Sequence, residues 1–138
     1  MDMSPQVMAQ LNDNSLYRTL GIRIEEALEG AARSRLEPGA ELCWPFPGQP
    51  HGGVISTLLD TTMAWAVVSE LEQGYTCATV NLDIHYTRPA KGDFFTCSAR
   101  TSHRTGRLSF VRAEVHDAEN RLLAMCQGAF RIVEEKKP

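Results

Sequence analysis

The stretch that most constrains this chain runs from Pro50 to Val68. It opens on the Gly52-Gly53 pair and continues as an apolar run at helical spacing. Ile55, Leu58, Leu59, Met63, Ala66 and Val67 recur at three- and four-residue steps, while Ala64, Val68 and Leu71 fill the other side. This spacing predicts a helix that is apolar nearly all round, which must be wrapped by the rest of its fold. Between Val54 and Ser69 the one charged residue is Asp60. Its helical neighbours Ser56, Thr57, Met63 and Ala64 include no cation, so no local ion pair offsets the desolvation expected there. A buried carboxylate without a partner is costly, and such groups cluster at functional sites.

Strands are expected on both sides of this helix. Pro5 to Leu11 reads as a short helix ended by Asn12-Asp13-Asn14. Leu20 to Leu28 and Ala31 to Leu36 read as a hairpin turning at Glu29-Gly30. Glu41 to Pro50 mixes three prolines and a glycine with Cys43, Trp44 and Phe46, the composition of an ordered loop that delivers the chain to the helix. After a stop at Gln73-Gly74, Thr76 to Thr87 alternates cleanly. Ala78, Val80, Leu82, Ile84 and Tyr86 are expected on one face; Cys77, Thr79, Asn81, Asp83, His85 and Thr87 are expected on the other. Phe94 to Thr101, Leu108 to His116 and Leu122 to Val133 follow, separated by a basic turn at His103 to Arg107 and a second turn at Asp117 to Asn120. With the strand at Thr76 they predict a four-strand meander, followed by a charged tail from Glu134 to Pro138.

The element order implies an α+β fold, an antiparallel sheet wrapped around one long central helix. A single domain is expected over residues 1–138, with its core at about 20–133 and the short helix before it. A sheet covers such a helix on one side only. A second copy of the chain is therefore expected to cover the rest, as a homodimer that leaves further pairing into tetramers open.

Composition removes other classes of function. The net charge of −3 offers no global basic field for a nucleic acid. The longest apolar run, Met63 to Val68, is far short of a membrane span, and Met1-Asp2-Met3-Ser4-Pro5 lacks the basic, apolar pattern of a leader. A cytoplasmic location with no membrane partner is expected. Cys43, Cys77, Cys97 and Cys126 are scattered without a C-x-x-C pair and read as reduced packing residues. No ligand spacing recurs among them and the four histidines, so no metal is expected.

The pattern H-G-G-x-x-x-x-L-x-D at His51 to Asp60, followed by Tyr86-Thr87-Arg88-Pro89-Ala90-Lys91-Gly92-Asp93, resembles the hotdog-fold acyl-CoA thioesterases. The branch it is most similar to is the PaaI-like, phenylacetate-pathway type, and the resemblance covers roughly Leu20 to Val133. It implies the hotdog fold and hydrolysis of an acyl- or aryl-CoA thioester, with coenzyme A arriving as part of the substrate and no separate cofactor. It also implies that Asp60 is the nucleophile or general base, that the Gly52 N–H is an oxyanion donor, and that Thr79 helps hold the water. One departure is Pro45, which stands where many members carry an asparagine or glutamine six residues before the histidine. Proline donates nothing there, and Gln49 is the nearby candidate to replace it.

The residues support this chemistry in their own right. Thioester hydrolysis needs a donor for the developing oxyanion and a base or nucleophile for the carbonyl carbon. A helix N-terminus supplies free N–H groups and a favourable dipole, and Gly52 and Gly53 leave room for a close approach. Desolvation is expected to raise the Asp60 pKa while leaving the group ionised enough to act. Gly52 and Asp60 are eight residues apart, about 12 Å along a helix, too far to touch one thioester. An active site using both must take one from each chain of a dimer.

Competing roles exist for each residue. Asp60 has an alternative as a structural carboxylate capped by Ser56, Thr57 and Thr61. His51 fits a helix-entry residue beside the substrate better than a base; as a base it would suit the hydration or dehydration of related hotdog enzymes. Arg88, Lys91, Arg104 and Arg107 are either solvated turn charges or contacts for the phosphates of coenzyme A. Trp44, Phe46, Met63 and Trp65 either line an acyl pocket or pack the core. A non-catalytic acyl-CoA-binding module is the remaining alternative, against which a carboxylate facing the ligand argues.

Overall fold

In the computed structural model, which describes residues 3–136, the long apolar segment is a helix held in the curl of one antiparallel sheet. Met1, Asp2, Lys137 and Pro138, the ends of the N-terminal stretch and of the charged tail, lie outside the described residues. Two short helices come first, α1 (Pro5–Asn12) and α2 (Ser15–Leu20). The hairpin β1 (Ile22–Leu28) and β2 (Ala31–Leu36) follows. A 3-10 turn at Ala40–Leu42 and a loop lead into the central helix α3 (Gly52–Val68). The strands β3 (Tyr75–Tyr86), β4 (Phe95–Thr105), β5 (Leu108–Asp117) and β6 (Leu122–Glu134) complete the chain. This is the α+β hotdog architecture.

Leu58, Leu59, Met63 and Ala66 of α3 are fully buried against Leu36, Phe95, Val115 and Phe130 from the sheet. Burying each large side chain of this set contributes about 1.5–3 kcal/mol, so α3 is held by packing rather than by helix propensity. Polar groups also meet inside this core: the Ser34 and Thr62 hydroxyls lie 2.5 Å apart, and Thr62 also donates to the Leu58 carbonyl at 2.7 Å.

Four expectations change. The first strand starts at Ile22 because Ser15–Leu20 is helical, capped by the Asn14 side chain on the Tyr17 N–H and ended by Gly21 in a left-handed conformation (φ 77°). The meander has three strands rather than four: the sheet order is β1-β2-β4-β5-β6-β3, so β3 crosses the helix and pairs with β6 instead of β4. The basic turn is shorter than expected, because His103 and Arg104 belong to β4 and pair with Phe110 and Ser109. Finally, β3 does not alternate throughout. Thr79 pairs with Phe130 and Asn81 with Ala129, which leaves Val80 as a bulge. Cys77 and Thr79 before it, and Leu82 and Ile84 after it, all turn toward α3.

Candidate active site

The helix entry is built by side chains closing on one peptide group. His51 is the N-cap of α3, and its Nδ1 accepts from the Gly53 N–H at 2.8 Å. A Cβ on Gly53 would stand 2.9 Å from that nitrogen, so glycine is what lets the imidazole close. At Gly52 an added Cβ would meet the Tyr86 ring no nearer than 3.6 Å, an ordinary contact. Packing within the chain therefore tolerates a side chain at Gly52, and the open space there is available to a ligand. The Tyr86 hydroxyl donates to the Gly52 carbonyl at 2.7 Å. Gly52 is exposed, and its N–H, one of the first-turn donors a helix leaves unsatisfied, has no acceptor among the described residues.

A cleft of about 620 Å³ runs past this terminus. Gln49, Gly52, Gly53, Tyr86 and Arg88 line it together with the apolar Ile55 and Leu123. Gln49 is held at the end of a closed turn, its N–H donating to the Phe46 carbonyl and its own carbonyl accepting from Trp44. A second space of about 410 Å³ lies on the other side of His51, beside Trp44, Leu42 and Thr57.

Asp60 lies two turns further along α3, outside both spaces. The Thr79 hydroxyl donates to its Oδ1 at 2.6 Å. The expectation of a buried carboxylate is corrected here. Asp60 is half-buried, on a stripe with Ser56, Thr57, Thr61 and Ala64 that the chain's own sheet leaves partly uncovered. Alanine, serine and threonine in an apolar run had hidden that stripe. The Ser56 and Thr57 hydroxyls donate to the Gly53 carbonyl, each at 2.9 Å, rather than capping Asp60. Burial first, and the Asp60 charge second, push the Cys77 thiol up to about 11. Burial also raises the Tyr17 phenol, against the hydrogen bond from Trp65 and with a further push from Asp60.

Tyr17 was not expected near the site. It reaches the α3 stripe from α2, where its hydroxyl accepts from the Trp65 indole at 2.8 Å. Asn14 three residues before it and Gly21 after it were the cap signals that could have revealed α2.

The expected residues thus fall into three groups within one chain. Gly52, Gly53, His51, Gln49 and Arg88 gather at the helix entry, and Asp60 pairs with Thr79 on the half-open stripe. Arg104 and Arg107 lie at the far end of α3 beside Glu70, Glu72 and Tyr75, roughly 25 Å of helix away from Gly52. Among the described residues no three His, Cys, Asp or Glu side chains are placed to hold a metal ion, and no helix is long and apolar enough to cross a membrane.

Comparison with known proteins bears on the family and the fold. The family model described as the thioesterase superfamily matches residues 48–124, from the loop before His51 through β3 to the start of β6. A protein of Halobacterium salinarum that carries a provisional esterase name is 32% identical over 140 aligned positions, covering 95% of this chain and 93% of its own. The medium/long-chain acyl-CoA thioesterase YigI of Escherichia coli is 25% identical over 95 positions, 59% of this chain and 61% of its own. In fold, the structure is similar to the PaaI protein of the Escherichia coli phenylacetic acid degradation operon. That match has a TM-score of 0.82 at 24% identity, over 94% of this chain and 92% of the other.

Proposed function

Because the chain belongs to the thioesterase superfamily, we propose that it hydrolyses an acyl- or aryl-CoA thioester to the free acid and coenzyme A, in a site shared between two copies. The observation that carries this proposal is the separation of two complementary half-sites. An exposed Gly52 N–H with no acceptor among the described residues lines an open cleft, and a hydroxyl-bound Asp60 carboxylate sits about 12 Å along the same helix on a half-open stripe. Each half lacks what the other has, and a two-fold pairing of α3 with a second α3 completes both.

In the proposed reaction the thioester oxygen accepts from the Gly52 N–H of one copy, where the helix dipole favours the negative charge that develops. Asp60 of the other copy either attacks the carbonyl carbon, forming a mixed anhydride that water then hydrolyses to the free acid, or takes a proton from the water that attacks directly. Thr79 holds Oδ1, which leaves the second carboxylate oxygen for that step. When the C–S bond breaks, the electron pair goes to sulfur and coenzyme A leaves as the thiolate or thiol. Arg88 lines this cleft and is assigned a coenzyme A phosphate; Arg104 and Arg107, at the far end of α3, would have to come from the paired copy to share that role. His51 spends Nδ1 on the helix cap, which supports an architectural role over that of the base of a hydratase. Hydrolysis by these groups requires no metal or redox cofactor. The YigI resemblance favours medium- and long-chain acyl groups, and the PaaI-like fold adds aryl-acetyl thioesters to the substrates to be tried.

The test is release of free thiol from octanoyl-, palmitoyl-, phenylacetyl- and hydroxybenzoyl-CoA by the wild type and by Asp60→Ala. We expect hydrolysis of some of these and a loss of about a hundredfold or more in the folded variant. Retained activity would make Asp60 structural. Mixing Asp60→Ala with Gly52→Pro chains should restore part of the activity, and verified heterodimers without recovery would rule out the shared site.

A further inference from the structure

We propose that Tyr86 is a positioning residue for the oxyanion donor, acting through the Gly52–Gly53 peptide group. This rests on the assignment of the Gly52 N–H as that donor. The Tyr86 hydroxyl donates to the Gly52 carbonyl at 2.7 Å, and His51 Nδ1 accepts from the Gly53 N–H at 2.8 Å. That carbonyl and that N–H are the two ends of one peptide unit. A peptide unit is planar, so holding both ends fixes its rotation between the flanking Cα atoms. Two consecutive glycines otherwise give the chain its widest freedom to rotate there.

The consequence falls on the donor. The Gly52 N–H belongs to the preceding peptide unit, which meets the clamped unit at the Gly52 Cα. The clamp sets ψ at Gly52, and in its helical range the Gly52 carbonyl points along α3, away from the N–H. If the clamped unit turned over, α3 would begin one residue later, and the Gly52 carbonyl would swing up beside the Gly52 N–H and set an acceptor where the oxyanion charge develops. Because Tyr86 comes from the end of β3 and His51 from the loop, the clamp also ties the sheet to the helix entry. Burial raises the Tyr86 phenol, opposed by a hydrogen bond with Ser56, so it remains a protonated donor through the neutral range. Its ring lines the cleft, within ordinary contact of where a Gly52 side chain would be. A direct substrate contact is therefore the competing role.

Tyr86→Phe separates these roles, since it keeps the ring and removes only the donor. On the panel substrate that the wild type turns over fastest, we expect kcat to fall about tenfold or more with KM within twofold, because an oxyanion donor acts in the transition state. We also expect the Gly52 and Gly53 amide resonances to broaden and exchange faster with solvent in ¹⁵N-labelled protein. His51→Ala should act on the same peptide unit, so the double variant should lose less than the product of the two single losses. A raised KM with unchanged kcat would make Tyr86 a substrate contact and overturn the proposal. Glycine amides indistinguishable from wild type in Tyr86→Phe would also overturn it, with or without turnover. Full activity of both Asp60→Ala and Gly52→Pro would instead remove the assigned site, and a wild type that hydrolyses no panel substrate would remove the thioesterase assignment itself. Loss in those two with wild-type kcat in Tyr86→Phe would remove only the role of Tyr86.

Discussion

The sheet has two edges, and the chain treats them in opposite ways. At β1 the edge is plugged. The Asn12 side chain accepts from the Ile24 N–H at 2.8 Å and donates to the Ile24 carbonyl at 2.9 Å, copying the pairing a neighbouring strand would make. A bulge between Ile24 and Glu26 and the exposed charges of Arg23, Glu25 and Glu26 blunt the rest of that edge. At β3 the edge is twelve residues long, presents the exposed Ala78 and Val80, and has no comparable plug among the described residues. A sheet open at one end only can add one copy of itself and then stops, because two-fold pairing consumes both open edges. The proposed dimer is thus a closed assembly by construction, and the half-open Asp60 stripe lies on the side where it would close.

The strongest way to break this contrast is to charge the open edge. Val80→Asp would set two carboxylates near each other across the proposed pairing. We expect sedimentation to show monomers at micromolar concentration, with thioesterase activity down about tenfold or more. An unchanged mass with full activity would move the interface elsewhere. The plugged edge should respond differently. Asn12→Ala leaves the Ile24 N–H and carbonyl without their partner and is expected to cost about 1–2 kcal/mol in urea unfolding, with turnover unchanged. A loss of activity without a loss of stability would show that the plug serves the site.

The smallest effect is in alkali. Burial pushes Cys77 on the open edge strand up to about 11 and the interior Cys97 up to about 12. The folded chain keeps protons that the unfolded chain releases above the ordinary thiol value of 9.0. This contribution to stability is therefore complete below that value and is lost as pH rises toward 11 and 12. Urea midpoints should fall over that range, and Cys97→Ala should flatten the fall more than Cys77→Ala does.

Local periodicity made the helix, the hairpin and the limits of most strands legible, because each is set by which side chains meet the core. The partner of β3 was not legible. Neighbouring strands usually pair, and only the need to wrap both sides of α3 sends β3 across to β6. The motif residues could be named, yet their exposure could not. Ser56, Thr57, Thr61 and Ala64 are small enough to pass for interior positions in an apolar run, and whether they meet water depends on how far the sheet curls. The Tyr86 contact was hidden for a related reason, since Tyr86 read as one apolar member of an alternating strand.

The bulge at Val80 sets a matter of parity. Tyr86 follows Thr79 at an odd step in position, so in a regular strand they would point to opposite sides of the sheet. Either the hydroxyl on Asp60 or the hydroxyl on Gly52 would be available to the helix, but not both. One surplus residue between them changes odd to even, and a single strand then addresses both halves of the proposed site. Removing Val80 would leave every side chain of the proposed site in the sequence and still disconnect one half from the other.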